Sequence, residues 1–149
     1  ENSSAASDVY KRQRLETSTI KMIFVRRERP WGWYETIVED ENYKVKRLFI
    51  APDQRLSFQY HNLRTEDWVI VEGSGTVTQN RMETNCKVGD TFHISTEMKH
   101  RAKGGKNGLL IIETQIGTCI ESDIIRLEDD YGRIKKDNTY MCMNEYGTE

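Results

Sequence analysis

No run of this sequence approaches the ~20 apolar residues that a membrane-crossing helix requires, and no charged-then-apolar segment marks a secretory signal. Cysteine is scarce: Cys86, Cys119 and Cys142 are widely spaced and odd in number. That pattern argues for free thiols in a reducing cytoplasm rather than a disulfide framework, each thiol a small buried or neutral residue. A cytoplasmic location is the resulting expectation. An excess of one charge sign is also missing, since 22 Lys and Arg against 24 Asp and Glu leave a net charge of -2. Neither nucleic acid nor an anionic membrane is therefore expected as a partner. A glycine-rich dinucleotide or triphosphate loop is absent as well, which removes the reason to expect nucleotide or redox cofactors. No internal repeat or low-complexity tract interrupts the central part of the chain.

What is present points to one small β domain. The 149 residues leave room for a single domain, and a hydrophobic share of 36% suffices for one sheet-on-sheet core. The first 21 residues are small, polar and without apolar period, so residues 1–21 are expected to be a disordered leader. Ser4 to Gln13 reads like translated adaptor sequence, which makes Met22 the expected native start. From Arg29 onward short apolar or alternating stretches follow one another: Tyr34 to Glu39, Tyr43 to Ile50, Arg55 to His61, Asp67 to Glu72, Gly75 to Gln79, Asp90 to Ile94 and Gly108 to Gly117. Turn signals separate them, among them Pro52-Asp53, Gly73-Ser74-Gly75 and Gly89-Asp90. Many short strands with closely spaced turns indicate an all-β sandwich or barrel, and the lack of helical periods between strands argues against a parallel α/β sheet. A helix or a pair of turns is expected around Glu121 to Tyr131. The folded domain is placed at 22–137, with 138–149 a frayed tail.

One constellation carries chemistry. Gln59 and His61 are two apart, so on a strand they share a face; Glu66 follows five later across a turn, and Gly73 closes the next strand. Amide, imidazole and carboxylate donors converging on one point suit a divalent ion. The spacing resembles the first cupin motif, G-x5-H-x-H-x(3,4)-E-x6-G, with Asp53 for the leading glycine and Gln59 for the first histidine. The second motif follows from Gly89 to His100, with Ser95, Glu97 and Gly104 replacing its proline, glycine and asparagine. The expected fold is thus a cupin-type jelly-roll barrel. The expected ligands are Gln59, His61, Glu66 and His100. They would hold one divalent ion, zinc first, with manganese, cobalt and nickel as the other candidates.

Longer matches sharpen the resemblance. Arg29-Pro-Trp-Gly32, Tyr43-Lys-Val-Lys-Arg47, Leu56 to His61, Arg64 to Val71, Lys99-His-Arg101, Glu113 to Gly117 and Glu121 to Arg133 resemble the C-terminal cupin of type II mannose-6-phosphate isomerases. That domain is usually fused to a mannose-1-phosphate guanylyltransferase, whose phosphate-binding glycine loop has no counterpart here. The resemblance implies interconversion of mannose 6-phosphate and fructose 6-phosphate, in supply of GDP-mannose or polysaccharide precursors. Glu113 and Lys99 are then the expected catalytic residues, and Arg47, Arg55 and Arg101 the expected anchors for the substrate phosphate, although basic residues at strand ends are commonly just solvated. His93 is expected on the surface, and Trp31, Trp33 and Trp68 in core or edge packing. Leu63 and Asp67 stand where the family tends to have histidines. They favour the alternative of a non-catalytic sugar-binding or oligomerising cupin; an oxygenase would call for a histidine at Gln59. Cupins often pair by exchanging strands, so a homodimer is compatible with the resemblance.

Overall fold

The computed structural model describes residues 21–134. The leader before Lys21 and the tail after 134, including Cys142, lie outside them. Among the described residues nine strands run in the order β1 (Lys21–Arg29), β2 (Gly32–Glu39), β3 (Tyr43–Ile50), β4 (Phe58–Tyr60), β5 (Arg64–Gln79), β6 (Met82–Lys87), β7 (Thr91–Ile94), β8 (His100–Gly117) and β9 (Ile125–Glu128). A 3-10 turn at Glu121–Asp123 precedes β9, so the stretch Glu121 to Tyr131, expected as a helix or a pair of turns, holds one such turn followed by a short strand. Among the described residues, no helix is long and apolar enough to cross a membrane.

Two long strands organise the barrel. The first half of β5 pairs with the second half of β8, from Arg64↔Gly117 to Gly73↔Leu109, and the second half of β5 pairs with the start of β8, from Gly75↔Gly104 to Gln79↔His100. Register shifts between Ile70 and Glu72 and between Gly73 and Gly75 mark where the pair bends from one sheet into the other. Strands β1, β2, β3 and β7 extend the first sheet, and β6, β4 and β9 extend the second. Gly73 sits at the bend with a φ of 76°, a left-handed conformation that L side chains rarely adopt, and a Cβ there would collide with the Gly108 carbonyl.

Alternation sets what faces inward. In β3 every second residue is buried, giving Lys44, Lys46, Leu48 and Ile50 in turn. Register carries this order across the sheet: Lys44 lies beside Gln115 and Glu66, Lys46 beside Glu113 and Trp68, and Leu48 beside Ile111 and Ile70. The barrel therefore has an apolar floor and a polar upper end. Ile50, Ile70, Leu109 and Ile111 in the floor are at most 1% exposed, and each contributes roughly 1.5–3 kcal/mol by leaving water. Val77, Cys86, Ile94 and Ala102 complete the core between the sheets.

Candidate metal centre

The polar end gathers side chains from both sheets. From the first come Arg64, Glu66 and Trp68 on β5 and Glu113 and Gln115 on β8. From the second come Gln59 on β4, His61 just beyond it, and His100 at the start of β8. Gln59 lies directly opposite His100 in one ladder and opposite Arg126 of β9 in the next, so the three form one row.

His61, Glu66 and His100 converge so that one ligand atom from each lies within 4.8 Å of the others. His61 Nε2 is 3.1 Å from Glu66 Oε1, and His100 Nε2 is 3.6 Å from Glu66 Oε2. The ring centres of the two histidines are 5.0 Å apart. Each Nδ1 faces a backbone carbonyl, Asp123 for His61 at 3.2 Å and Met98 for His100 at 2.8 Å. A carbonyl only accepts, so it fixes the proton on Nδ1 and leaves Nε2 to bind an ion. His100 Nε2 is fully buried and has no hydrogen-bond partner among the described residues. A buried polar atom left unsatisfied costs about 1–3 kcal/mol, and a cation between these donors would remove that cost. Two imidazoles and a carboxylate fit zinc-like chemistry. Gln59 lines the adjoining cavity, with its Oε1 accepting from the Ser57 hydroxyl at 2.6 Å.

Charge at this end is arranged around two carboxylates. Burial would raise the pKa of Glu66, but the facing His100 and His61, when they carry a second ring proton, outweigh it and hold the carboxyl well below its ordinary value. Glu113 goes the other way: burial, reinforced by the charge of Glu66, pushes it up to about 7 against the pull of Lys46 and Arg64. The Trp68 indole N–H bridges the two, donating to Glu66 Oε2 and Glu113 Oε2 at 3.2 Å each. Gln115 donates to the other oxygen of Glu113 at 2.6 Å.

A cavity of about 70 Å³ opens beside these groups, lined by Gln59, Arg64, Glu113, Lys46, Arg29 and Arg126 among others. Lys46 is bound to Glu121 at 2.6 Å. Arg29 and Arg126 make no ion pair with a carboxylate among the described residues, and Arg126 Nε is buried without a partner. Burial, with the nearby positive charge of Arg133, holds the Arg126 guanidinium below its ordinary pKa.

The other expected site residues lie elsewhere. Arg47 binds Glu35 at 2.6 Å, Arg55 binds Asp130 at 2.6 Å and Arg101 binds Glu128 at 3.2 Å; none lines this cavity, and Lys99 is exposed. Two nitrogens each of Arg47 and Arg55 are taken up by their carboxylates, whereas Arg101 meets the Glu128 carboxylate through Nη1 alone and its buried Nε has no partner among the described residues. Leu63 is 50% exposed, and Asp67 points outward to the exposed His93 at 2.7 Å. Neither of these two departures from the family pattern lines the cavity. Three residues without an assigned role in the sequence prove central. Arg64 donates to Glu66, Arg126 rims the cavity, and the Asp123 carboxylate accepts from the Asn62 and Leu63 N–H groups at 3.0 Å each, anchoring the segment after His61.

A barrel of two antiparallel sheets with two histidines and a glutamate inside one end defines a cupin, or double-stranded β-helix. Solved structures agree: oxalate decarboxylase of Bacillus subtilis superposes with a TM-score of 0.67 at 17% identity, covering 74% of this chain and 33% of that one. A double-stranded β-helix protein from Klebsiella pneumoniae gives 0.61 at 18% identity, covering 71% and 92%. Within that class, residues 16–129 match the mannose-6-phosphate isomerase C-terminal family, and the chain belongs to it. Relatives include xanthan biosynthesis protein XanB of Xanthomonas campestris, 38% identical over 107 residues, and alginate biosynthesis protein AlgA of Pseudomonas aeruginosa, 39% identical over 107 residues. Mannose-1-phosphate guanylyltransferase ManC of Salmonella typhimurium is 38% identical over 108 residues. The matches cover 70–71% of this chain but only 22–23% of those relatives.

Proposed function

We propose that the polar end of the barrel is a divalent-metal site that interconverts mannose 6-phosphate and fructose 6-phosphate, feeding GDP-mannose and polysaccharide precursor supply. The carrying observation is the convergence of His61, Glu66 and the unpartnered His100 Nε2 beside a cavity that also contains Glu113. Gln59, in the row with His100, is the fourth ligand of this reading. A bound ion would act as a Lewis acid toward the carbonyl and hydroxyl oxygens of the sugar.

The remaining work falls to side chains. Aldose–ketose exchange takes a proton from C2 and delivers one to C1, while the hydroxyl proton passes from O2 to O1. Glu113 is the group that carries the carbon-bound proton, and a carboxyl poised near neutrality is suited to both halves of the transfer. Its raised pKa comes from burial, so the cavity that admits the sugar must also keep bulk water from it. Arg29 and Arg126 anchor the phosphate: neither is held by a carboxylate among the described residues, and both stand on the cavity wall. Anchoring the far end of the substrate turns binding energy into orientation at C1 and C2.

The test is a coupled assay of fructose 6-phosphate formation by metal-loaded protein. Glu113→Gln should lower turnover by about 100-fold or more with sugar-phosphate binding retained. Turnover of the unsubstituted chain no greater than that of Glu113→Gln, with each candidate metal, would leave a sugar-binding, non-catalytic domain as the better account.

A further inference from the structure

Arg64 touches two of the three ligand residues at the very atoms a metal would use. Its Nε donates to Glu66 Oε1 at 2.8 Å, and its Nη2 lies 3.2 Å from His61 Nε2. The third nitrogen, Nη1, donates to the Ile120 carbonyl at 3.2 Å, and the side chain is almost wholly buried. His61 Nε2 and Glu66 Oε1, only 3.1 Å apart, are both acceptors when the histidine is neutral. Two facing acceptors in a dry interior repel unless a proton or cation joins them. The guanidinium fork supplies that cation from within the chain. Among the described residues nothing equivalent reaches His100, whose Nε2 stays unpartnered.

We propose that Arg64 is a tethered cation that holds Glu66 and His61 together in the metal-free protein, and that a divalent ion must displace its fork in order to bind. This rests on the metal reading of the site, not on the isomerase reaction. The rival role is permanent support, in which Arg64 orients Glu66 from behind and strengthens metal binding. The contact with His61 decides between them. Imidazole Nε2 has a single in-plane lone pair, which cannot accept from Nη2 and bind an ion together. Displacement has somewhere to go, because Arg64 lines the cavity beside Gln59 and Glu113.

The two roles give opposite signs in one measurement. Zinc is titrated calorimetrically into the 149-residue chain and into Arg64→Gln and Arg64→Lys. Removing a competing cation should tighten zinc binding in Arg64→Gln by about tenfold, with Arg64→Lys between it and the parent. Nitrogen-15 spectra of the unsubstituted protein should show the Arg64 Nε–H signal shifting on zinc addition, a readout that needs no variant to fold. A folded Arg64→Gln that binds zinc equally or more weakly, or an Nε–H signal unmoved by zinc, would overturn the proposal while leaving the metal site itself standing. Failure of every variant to bind zinc would overturn both.

Discussion

At Glu66, four side chains meet two carboxylate oxygens: His61 and Arg64 at one, Trp68 and His100 at the other. Some of this was legible from spacing. A period of two puts Gln59 and His61 on one face, and the same period puts Arg64 on the face of Glu66, a signal that was readable but went unused. Asp123 left no such trace, because its partners, Asn62 and Leu63, are about 60 positions away. The carboxylate partners of the expected phosphate anchors are hidden from the sequence for a related reason. Arg47, Arg55 and Arg101 look available in sequence, and only the fold brings Glu35, Asp130 and Glu128 to them. Glu113 offers a test at this scale. Its carboxyl titrates near 7 when folded, above the ordinary value of 4.5, so the folded protein binds the proton more tightly. That contribution is complete below about pH 4.5 and is lost as pH rises through about 7. Metal-free protein should therefore lose stability relative to Glu113→Gln across that window, as read by urea unfolding. Parallel pH profiles for the two would show that Glu113 holds no such proton.

Elements were misread where apolar pattern and punctuation part company. Gly73-Ser74-Gly75 reads as a turn between two strands, yet β5 runs through it by a bulge and a left-handed glycine. Strand β6 was missed because only Cys86 of Met82–Lys87 is buried, so no alternation marks this edge. The stretch Glu121 to Tyr131, expected as a helix or a pair of turns, opens with a 3-10 turn. Pairing of Ile125 and Arg126 with β4 draws the residues after it out as a strand, tertiary context overriding local tendency. Gly73→Ala tests the bend: the forbidden φ and the collision with Gly108 should cost about 1–3 kcal/mol or more. Gly89 also has a positive φ but meets nothing nearby, so Gly89→Ala should pay only the backbone strain and fall below Gly73→Ala in cost. Equal costs for the two, measured by thermal unfolding, would mean that the close approach of β5 and β8 is not what requires glycine at the bend.

For the molecule as a whole, fold class was the most legible property, since it depends on many concordant short strands and no single residue. The division of the barrel into an apolar floor and a polar end was half visible. Lys44, Lys46, Leu48 and Ile50 alternate openly in β3, but their alignment with Glu113, Gln115 and Ile111 is a matter of register. That alignment concentrates buried charge at one end, where a cation repays its desolvation best. Metal should accordingly stabilise the whole fold: at a free concentration 100 times its Kd, about 2.7 kcal/mol, with thermal unfolding moving up in the parent chain and hardly at all in His100→Ala. The most direct measurement is metal content. Chains of parent and His100→Ala are dialysed to equilibrium against zinc, manganese, cobalt or nickel and then analysed for bound ion. The account expects close to one ion per parent chain and little in the variant. No retained ion in the parent with any of the four metals, or equal retention in His100→Ala, would contradict it.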